Sequence, residues 1–276
     1  MEYKRVLTIQ DISCVGQCSM TVALPIISAC GLETAVLPSA VLSTHTAGFS
    51  GFTVRDLADD MPAIREHWVK EGLKFDAVYT GYLGSAQQVD YVLDIVRDCG
   101  KDSALLIVDP AMADHGKLYP AFDMAYVEAM KKLCSAADYL LPNITEACFL
   151  CGMEYREKYD EAYILELVGG LADMGVKTVV LTGVSYREGC TGIVVYRRGK
   201  LEYYEHEFLP NSCHGTGDIY ASAFTGALMR GKDAFEAAKI AGDYTLECIR
   251  YTAGDDSHWY GAKFEPVLWK LIEALR

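Results

Sequence analysis

The chain has 276 residues, and 38 acidic against 25 basic side chains give it a formal net charge of −13. Hydrophobic residues make up 51% and charged residues 23%, a composition typical of a globular protein and not of a disordered chain. The acidic balance argues against nucleic acid or an anionic membrane as the main partner, because the long-range field repels both. The best membrane-span candidate, Met20–Cys30, is too short and contains Pro25, and the N-terminus shows no secretion signal, so we expect a cytoplasmic protein.

Short apolar runs alternate with segments of helical periodicity along the first two thirds of the chain. The runs predicted to be strands are Val6–Ile9, Thr34–Leu37, Ala77–Thr80, Leu105–Val108, Tyr139–Leu141 and Val179–Leu181. The segments predicted to be helices are Met61–Gly72, Ala86–Cys99, Asp123–Ala137, Ile144–Cys151 and Ala162–Gly175. Alternation of this kind, with several strands apolar throughout, predicts an α/β fold whose mainly parallel sheet is covered by helices on both faces.

The pattern changes after the last of these strands. Thr191–Tyr196 and Leu201–Phe208 predict a hairpin, and three helical segments follow it, at Ile219–Arg230, Asp233–Thr252 and Pro266–Leu275. No linker or internal repeat interrupts the chain, so we expect one domain over residues 1–276. Ligands of open α/β sheets bind outside the carboxyl ends of the strands, and the loops there are the places to look for a site.

The most informative segment is Asn211–Asp218, which reads Asn-Ser-Cys-His-Gly-Thr-Gly-Asp and leads into a predicted helix. Its two glycines allow a tight turn, and the N–H groups at the start of the helix suit a phosphoryl group in transfer. Asp218 stands where a carboxylate can take a proton from an attacking hydroxyl. The alternative is an ordinary helix cap, because aspartate is a preferred capping residue.

Two further segments place oxygen donors after predicted strands. Asp109 ends an apolar run and Asp114 follows shortly, while Asn143 and Glu146 stand three residues apart at the start of a helix. Donors at such a spacing suit Mg²⁺, which binds few protein groups directly. The alternative for Asn143 and Glu146 is a capping box, in which the two side chains only close the helix terminus.

Weaker signals complete the set. Thr182 and Gly183 follow the last strand of the alternating region, where a loop can meet a nucleotide, and Ser43–Phe52 reads as a loop or flap around His45. A lone histidine in such a loop is more often structural than catalytic. The sequence contains no Walker-type phosphate loop, and no GxGxxG follows the first strand, which argues against a P-loop enzyme and a Rossmann dehydrogenase.

Taken together and in this order, the motifs resemble the ribokinase-like superfamily, and within it the vitamin B6 kinases. The segments that carry the resemblance are Leu7–Ser13, Ser43–Gly48, Tyr79–Ser85, Val108–Asp114, Pro142–Glu146 and Gly215–Asp218. The resemblance implies a three-layer α/β/α sandwich with a small flap. It also implies an ATP-dependent kinase that phosphorylates the 5′-hydroxymethyl group of pyridoxal, pyridoxamine or pyridoxine, with Mg²⁺ as cofactor and a monovalent cation such as K⁺ as a further candidate.

The same resemblance implies the catalytic roles. Asp218 would deprotonate the substrate hydroxyl, and the backbone amides of Gly215, Thr216 and Gly217 would hold the charge of the transferring phosphoryl group. The residues that would organise Mg²⁺ and its waters against the phosphates are Asp109, Asn143 and Glu146.

Binding roles are implied as well. Asp114, Thr182 and Gly183 would lie at the nucleotide, together with Asn143 and Thr216. The residues that would line the pocket for the substrate ring are Ser13, His45, Thr46 and Tyr82, with Ser13 hydrogen-bonded to the pyridine.

Some residues depart from the better-known B6 kinase sequences, notably Cys14 and the segment Ser212–His214, which looks like the hydroxymethylpyrimidine kinases. Some of those enzymes place a cysteine where this chain has Asp218. The leading alternative is therefore a hydroxymethylpyrimidine or phosphomethylpyrimidine kinase of thiamine synthesis. A non-catalytic B6-binding protein on the same fold is a third interpretation. The family suggests a homodimer.

Overall fold

The computed structural model describes residues 3–210 and 213–276, within which the chain forms eleven strands and nine α-helices. The strands are β1 (Arg5–Ser13), β2 (Glu33–Leu42), β3 (Val54–Asp56), β4 (Phe75–Thr80), β5 (Gly100–Val108), β6 (Ala113–Asp114), β7 (Lys117–Leu118), β8 (Tyr139–Leu140), β9 (Thr178–Val184), β10 (Cys190–Arg197) and β11 (Lys200–Glu207). The helices are α1 (Met20–Ala29), α2 (Met61–Lys70), α3 (Ala86–Cys99), α4 (Met124–Ser135), α5 (Ile144–Cys151), α6 (Glu161–Asp173), α7 (Thr216–Met229), α8 (Ala234–Thr252) and α9 (Leu268–Ala274).

Nine of the strands form one sheet in the order β11-β10-β9-β8-β5-β4-β1-β2-β3, and β6 pairs with β7 in a separate hairpin. The inner strands from β9 to β2 run parallel, whereas β3, β10 and β11 are antiparallel additions at the edges. The predicted mainly parallel sheet and the hairpin near the end of the chain are both confirmed.

Successive residues of the central strands enter two different cores, because side chains alternate between the faces of a sheet. Leu7 and Val78 join a cluster with helices α3 to α6, while their neighbours Val6 and Ala77 join a second cluster with α1, α7 and α8. Helices therefore cover both faces, and the expected three-layer α/β/α arrangement is confirmed. None of the helices in residues 3–210 and 213–276 is long and apolar enough to cross a bilayer.

Helix α1 and strand β3 were not predicted from the sequence, and β2 extends beyond the predicted strand Thr34–Leu37. Helix α1 packs its buried face against α7 and the sheet, with Pro25 inside it. Strand β2 runs on to Leu42 although Pro38 interrupts the expected pattern. Pro38 is paired with Gln10 of β1 and lies before Ala40, where the pairing of β2 with β3 begins, so its missing amide donor costs β3 no hydrogen bond.

Candidate active site

Polar residues stand where five neighbouring parallel strands end, at one edge of the sheet. The backbone ties these ends together: Asp109 N donates to Thr80 O at 2.9 Å, and Leu141 N donates to Val108 O at 2.8 Å. The residues brought to this edge are Asp11 and Ser13 from β1, Tyr82 after β4, Asp109 after β5, Asn143 after β8 and Thr182 in β9. The topology thus brings five of the residues predicted from the sequence, together with Asp11, to one edge of the sheet.

Helix α7 begins at this edge without a capping side chain. Its N-cap is Gly215, with a left-handed φ of 78°, whereas α3, α4, α5, α6 and α8 are each capped by a Ser, Asp or Asn side chain. A Cβ on Gly215 would lie 1.7 Å from Gln17 O, so only glycine fits there. At Gly217 a Cβ would meet nothing within 4 Å, which leaves open space beside the free amides of the first turn. Asn211 and Ser212 lie outside the described residues.

Asp218 occupies the first turn of α7 and is partly buried. The pKa of its carboxyl is raised from 3.8 to about 7, because burial and, to a smaller extent, the charge of Asp11 raise it against the opposing backbone hydrogen bond from Ser19. A carboxyl with a pKa near neutrality is suited to exchange a proton with a hydroxyl at physiological pH.

Asn143 and Glu146 form a complete capping box at the start of α5. Asn143 Oδ1 accepts from Glu146 N, and Glu146 Oε2 accepts from Asn143 N, both at 2.9 Å. The second carboxylate oxygen, Glu146 Oε1, accepts from Met112 N at 2.9 Å, and Asn143 Nδ2 donates to Ala113 O at 2.8 Å. Glu146 is therefore rigidly held and buried, and the structural role considered for this pair is present.

Asp109 lies within reach of the charges of two other carboxyls, those of Glu146 and Asp218. Burial raises the pKa of Asp109 well above its ordinary value, and the charges of Glu146 and Asp218 raise it further. Burial also raises the pKa of Glu146, against the hydrogen bonds that its carboxylate accepts. In the described part of the chain none of these three carboxyls forms an ion pair.

Such a set of hard oxygen donors without a cationic partner fits Mg²⁺, which binds one or two carboxylates and keeps several waters. No group of three or more His, Cys, Asp or Glu side chains within residues 3–210 and 213–276 is arranged to enclose a metal ion. The arrangement therefore suits a cation that is shared with phosphate groups better than one held by protein alone.

Asp114, Thr182 and Gly183 lie on the outer side of this cluster. Asp114 is exposed at the end of β6, and its Oδ1 accepts from His115 N at 2.8 Å in the turn to β7. Thr182 N donates to Pro142 O at 2.9 Å, which joins β9 to the start of α5. Gly183 has a φ of 75° and no atom near its Cβ position, so the strand end is open to solvent.

On the other side of Asp218, the residues predicted to line the substrate pocket occupy different environments. Ser13 is fully buried, and its hydroxyl donates to Asp11 Oδ2 at 3.1 Å. Tyr82 is half-buried, with its ring centroid 5.3 Å from that of Phe122, and Thr46 is exposed on the flap. Burial raises the pKa of Tyr82, and the charges of Asp11 and Asp56 add to it.

His45 holds the flap in place. Its Nε2 lies 2.7 Å from Tyr260 O, and its Nδ1 accepts from Ala47 N at 3.2 Å, so both ring nitrogens are engaged by the backbone. Phe49 packs against Trp259 with ring centroids 4.6 Å apart. His45 is buried and serves the structural role considered for it, which leaves no ring nitrogen free for a ligand; contact with a substrate through its ring stays a prediction.

The structure adds three residues that the sequence analysis did not assign to the site. Asp11 is buried beside Ser13, and Ser19, with a φ of 54°, lies between Asp11 and Asp218. Tyr119 follows the β6–β7 hairpin, and burial together with the charges of Glu146 and Asp109 raises its pKa. Only Asp11 had a signal in the sequence, as the carboxylate that interrupts the apolar run of β1.

Comparisons with known proteins agree with this geometry. The family model described as phosphomethylpyrimidine kinase matches residues 24–266. The chain belongs to this kinase family. The kinase is 28% identical to the pyridoxal kinase of Dictyostelium discoideum over 244 residues, which cover 82% of the chain and 78% of that protein.

Solved structures resemble the kinase over nearly its whole length. A candidate phosphomethylpyrimidine kinase from Bacteroides thetaiotaomicron, crystallised with pyridoxal, is 36% identical with a TM-score of 0.92, over 98% of this chain and 96% of that one. The pyridoxal kinase of Lactobacillus plantarum is 30% identical with a TM-score of 0.91, over 99% and 98% of the two chains. The predicted ribokinase-like kinase fold is thereby confirmed.

Proposed function

We propose that the kinase transfers the γ-phosphoryl group of ATP to the 5′-hydroxymethyl group of a vitamin B6 vitamer: pyridoxal, pyridoxamine or pyridoxine. The observation that carries this proposal is the position of Asp218, on the uncapped first turn of α7, where its carboxyl has a raised pKa. The choice of B6 is supported by the pyridoxal bound to the Bacteroides protein and by the relatives named pyridoxal kinase.

In this mechanism Asp218 accepts the proton of the substrate hydroxyl as that oxygen attacks phosphorus. Its pKa of about 7 leaves a useful fraction of carboxylate at neutral pH and still makes it a competent base. The hydrogen bond from the Ser19 amide keeps the carboxylate oriented while the proton moves.

The backbone amides of Gly215, Thr216 and Gly217 hold the charge that develops on the phosphoryl oxygens. Because no side chain caps α7, these donors and the positive end of the helix dipole are available to an anion. The open space at Gly217 allows phosphate oxygens to approach the backbone. Phosphoryl transfer depends mainly on such positioning and charge stabilisation.

Asp109 and Glu146 would hold Mg²⁺ and its waters, with Asn143 fixing Glu146 through the capping box. The cation would supply charge neutralisation for the phosphates of ATP. Asp114, Thr182, Gly183 and Thr216 form the nucleotide side. Ser13, Thr46, Tyr82 and the flap held by His45 enclose the substrate ring and exclude water.

The second candidate is phosphorylation of hydroxymethylpyrimidine or its phosphate, favoured by the description of the family that matches residues 24–266. Both substrates present a hydroxymethyl group on a flat heteroaromatic ring, so the same base and anion hole serve either. A non-catalytic binding protein is disfavoured, because the acidic cluster, the uncapped helix and Asp218 are all intact.

A coupled assay of ADP release, with Mg-ATP and each ring substrate in parallel, tests the proposal. We expect turnover with one or more B6 vitamers and much slower turnover with hydroxymethylpyrimidine. Turnover on hydroxymethylpyrimidine alone would refute the B6 assignment and keep the mechanism. Binding of pyridoxal without turnover of any substrate would refute the kinase proposal in favour of a binding protein.

Other expectations remain part of the proposal. They are a single domain over residues 1–276, a homodimer, a cytoplasmic location and a contribution from K⁺. Size-exclusion chromatography with light scattering and assays with K⁺ replaced by Na⁺ test the two that bear on activity.

A further inference from the structure

The loop between β1 and α1, residues 14–19, lies directly against the start of α7. A Cβ on Gly215 would lie 1.7 Å from Gln17 O and 3.5 Å from Cys18 Sγ, so this loop packs on the glycine that begins the helix. Two residues further on, the amide of Ser19 bonds the carboxyl of Asp218. The position of this loop therefore fixes one side of the first turn of α7, and the mechanism above assigns no residue to holding the loop.

The side chain of Gln17 is bonded at both ends of its amide group. Its Nε2 donates to Oε1 and to Oε2 of Glu265, at 2.8 Å in each case. Its Oε1 lies 2.8 Å from Nε2 of His258, and because an amide oxygen only accepts, the histidine is the donor. The two partners follow Gln17 by 241 and 248 residues, so this one side chain joins the loop after β1 to the C-terminal segment, residues 258–265.

The same C-terminal segment contacts the residues that lead into α7. Ala262 N donates to His214 O at 3.1 Å, immediately before Gly215. A Cβ on Gly261 would lie 2.6 Å from Gln17 Cβ, so the segment runs against the loop without room for a side chain at that point. The start of α7 is thus held from two directions by the same segment, directly at His214 and through Gln17.

We propose that Gln17 is a positioning residue, which joins the C-terminal segment to the start of α7 and fixes where the amides of Gly215–Gly217 meet the transferring phosphoryl group. The inference rests on the proposed function, because it concerns phosphoryl transfer at the same helix terminus. Since the side-chain amide of Gln17 is occupied by His258 and Glu265, the residue acts through the backbone of its loop and not by contact with a substrate.

This role predicts a particular kinetic signature. Phosphoryl transfer depends on the placement of the donors around the moving group, and a misplacement of about 1 Å costs up to about 100-fold in rate. Loosening the loop at Gly215 should therefore lower kcat and leave the KM for the ring substrate nearly unchanged. Release of the flap at His45 should do the reverse, because the flap encloses the ring and does not hold the start of α7.

The first test is Gln17→Met in the full-length protein, assayed well below its melting temperature. Methionine has a similar shape and adds no charge, but it can make neither hydrogen bond. We expect kcat to fall about 10-fold and the KM for the ring substrate to stay within about 3-fold of wild type. The matched control is Gln87→Met, at an exposed position of α3 where the glutamine donates to Tyr91 Oη at 2.6 Å, and it should match wild type.

An exchange of the two partners separates positioning from other effects of the substitution. Gln17→Glu combined with Glu265→Gln keeps the net charge and reverses the donor and the acceptor, while the new carboxylate still accepts from His258. This double variant should recover kcat to within about 3-fold of wild type. Gln17→Glu alone sets two carboxylates against each other and should stay as impaired as Gln17→Met.

A binding measurement needs no ring substrate. The probe is Mg-ADP with fluoroaluminate, which mimics the phosphoryl group in transfer, and its affinity is measured by calorimetry. Gln17→Met should bind this probe about 10-fold more weakly than wild type, and the exchange variant should bind it like wild type. Unchanged kcat and affinity in Gln17→Met, or an exchange variant as impaired as Gln17→Met, would overturn the inference. Weaker binding of the probe to Gln17→Met, without turnover of any ring substrate by wild type, would refute the proposed function and leave the role of Gln17 standing.

Discussion

Replacing Asp218 with asparagine should lower kcat by orders of magnitude and stabilise the fold, the stabilisation depending on pH. The change keeps the shape of the side chain and removes its charge. Loss of a general base lowers kcat by roughly 10²- to 10⁴-fold. Because the amides of α7 and the binding pocket are unchanged, the affinity for the ring substrate should change little.

The stability effect follows from the raised pKa. A tenfold change in an ionisation constant corresponds to about 1.4 kcal/mol, so a shift from 3.8 to about 7 sets an upper limit of roughly 4 kcal/mol. Asp218 is partly exposed, and solvent screening reduces the expected effect to about 1–2 kcal/mol. The folded state binds the proton more tightly than the unfolded state, so wild-type stability falls as pH rises from about 4 to above 7.

The assay is thermal unfolding of wild type, Asp218→Asn and the exposed-site control Asp102→Asn at about pH 5 and about pH 8. Above pH ~7 the wild-type penalty is fully present, and the Asp218→Asn variant should melt about 3–6 °C higher. The difference should shrink at the lower pH, and Asp102→Asn should match wild type at both. An Asp218→Asn variant that is less stable than wild type at pH ~8 would refute the reasoning about burial.

Three further perturbations test other parts of the site. Gly215→Ala forces a Cβ to within 1.7 Å of Gln17 O at a positive φ and should lower the free energy of unfolding by at least about 1–2 kcal/mol. Gly217→Ala, where a Cβ meets no atom, should melt like wild type but have a lower kcat. Equal melting temperatures of the two variants would contradict this contrast. Glu146→Gln leaves one buried backbone N–H without an acceptor, so the free energy of unfolding measured in urea should fall by about 1–3 kcal/mol. The variant should also need a higher Mg²⁺ concentration for its half-maximal rate. An unchanged Mg²⁺ titration would show that Glu146 is not part of the metal site. His45→Ala frees the flap and should raise KM for the ring substrate more than it lowers kcat, and a change in KM for ATP alone would count against the flap assignment.

The sequence was sufficient to predict the sheet and most helices, because buried parallel strands are apolar throughout and the amphipathic helices show clear periodicity. It failed at α1, whose residues are apolar on nearly all sides and include Pro25, so no helical period is visible. The extension of β2 past Pro38 was not predictable either, because it depends on β3 pairing with β2 only at Ala40–Leu42, beyond the proline.

The site was predictable where a local motif determines the backbone conformation, as the glycines of Gly215–Asp218 do at the start of a helix. Asn143 and Glu146 left two interpretations open, because the same spacing serves a capping box and a metal site, and the structure contains the capping box. Asp11 and Ser19 were not predictable as a pair. Their proximity to Asp218 arises from the packing of α7 against α1 and β1, which no local pattern encodes.

The contact between His45 and Tyr260 joins segments 215 residues apart along the chain. During synthesis the flap emerges well before its anchoring partner, which is added 215 residues later. A nascent chain that has already formed β1 to β9 therefore holds an incomplete pocket. A chain truncated before Tyr260 should keep Asp109 and Asp218 but lose the backbone carbonyl that holds His45 and the flap in place.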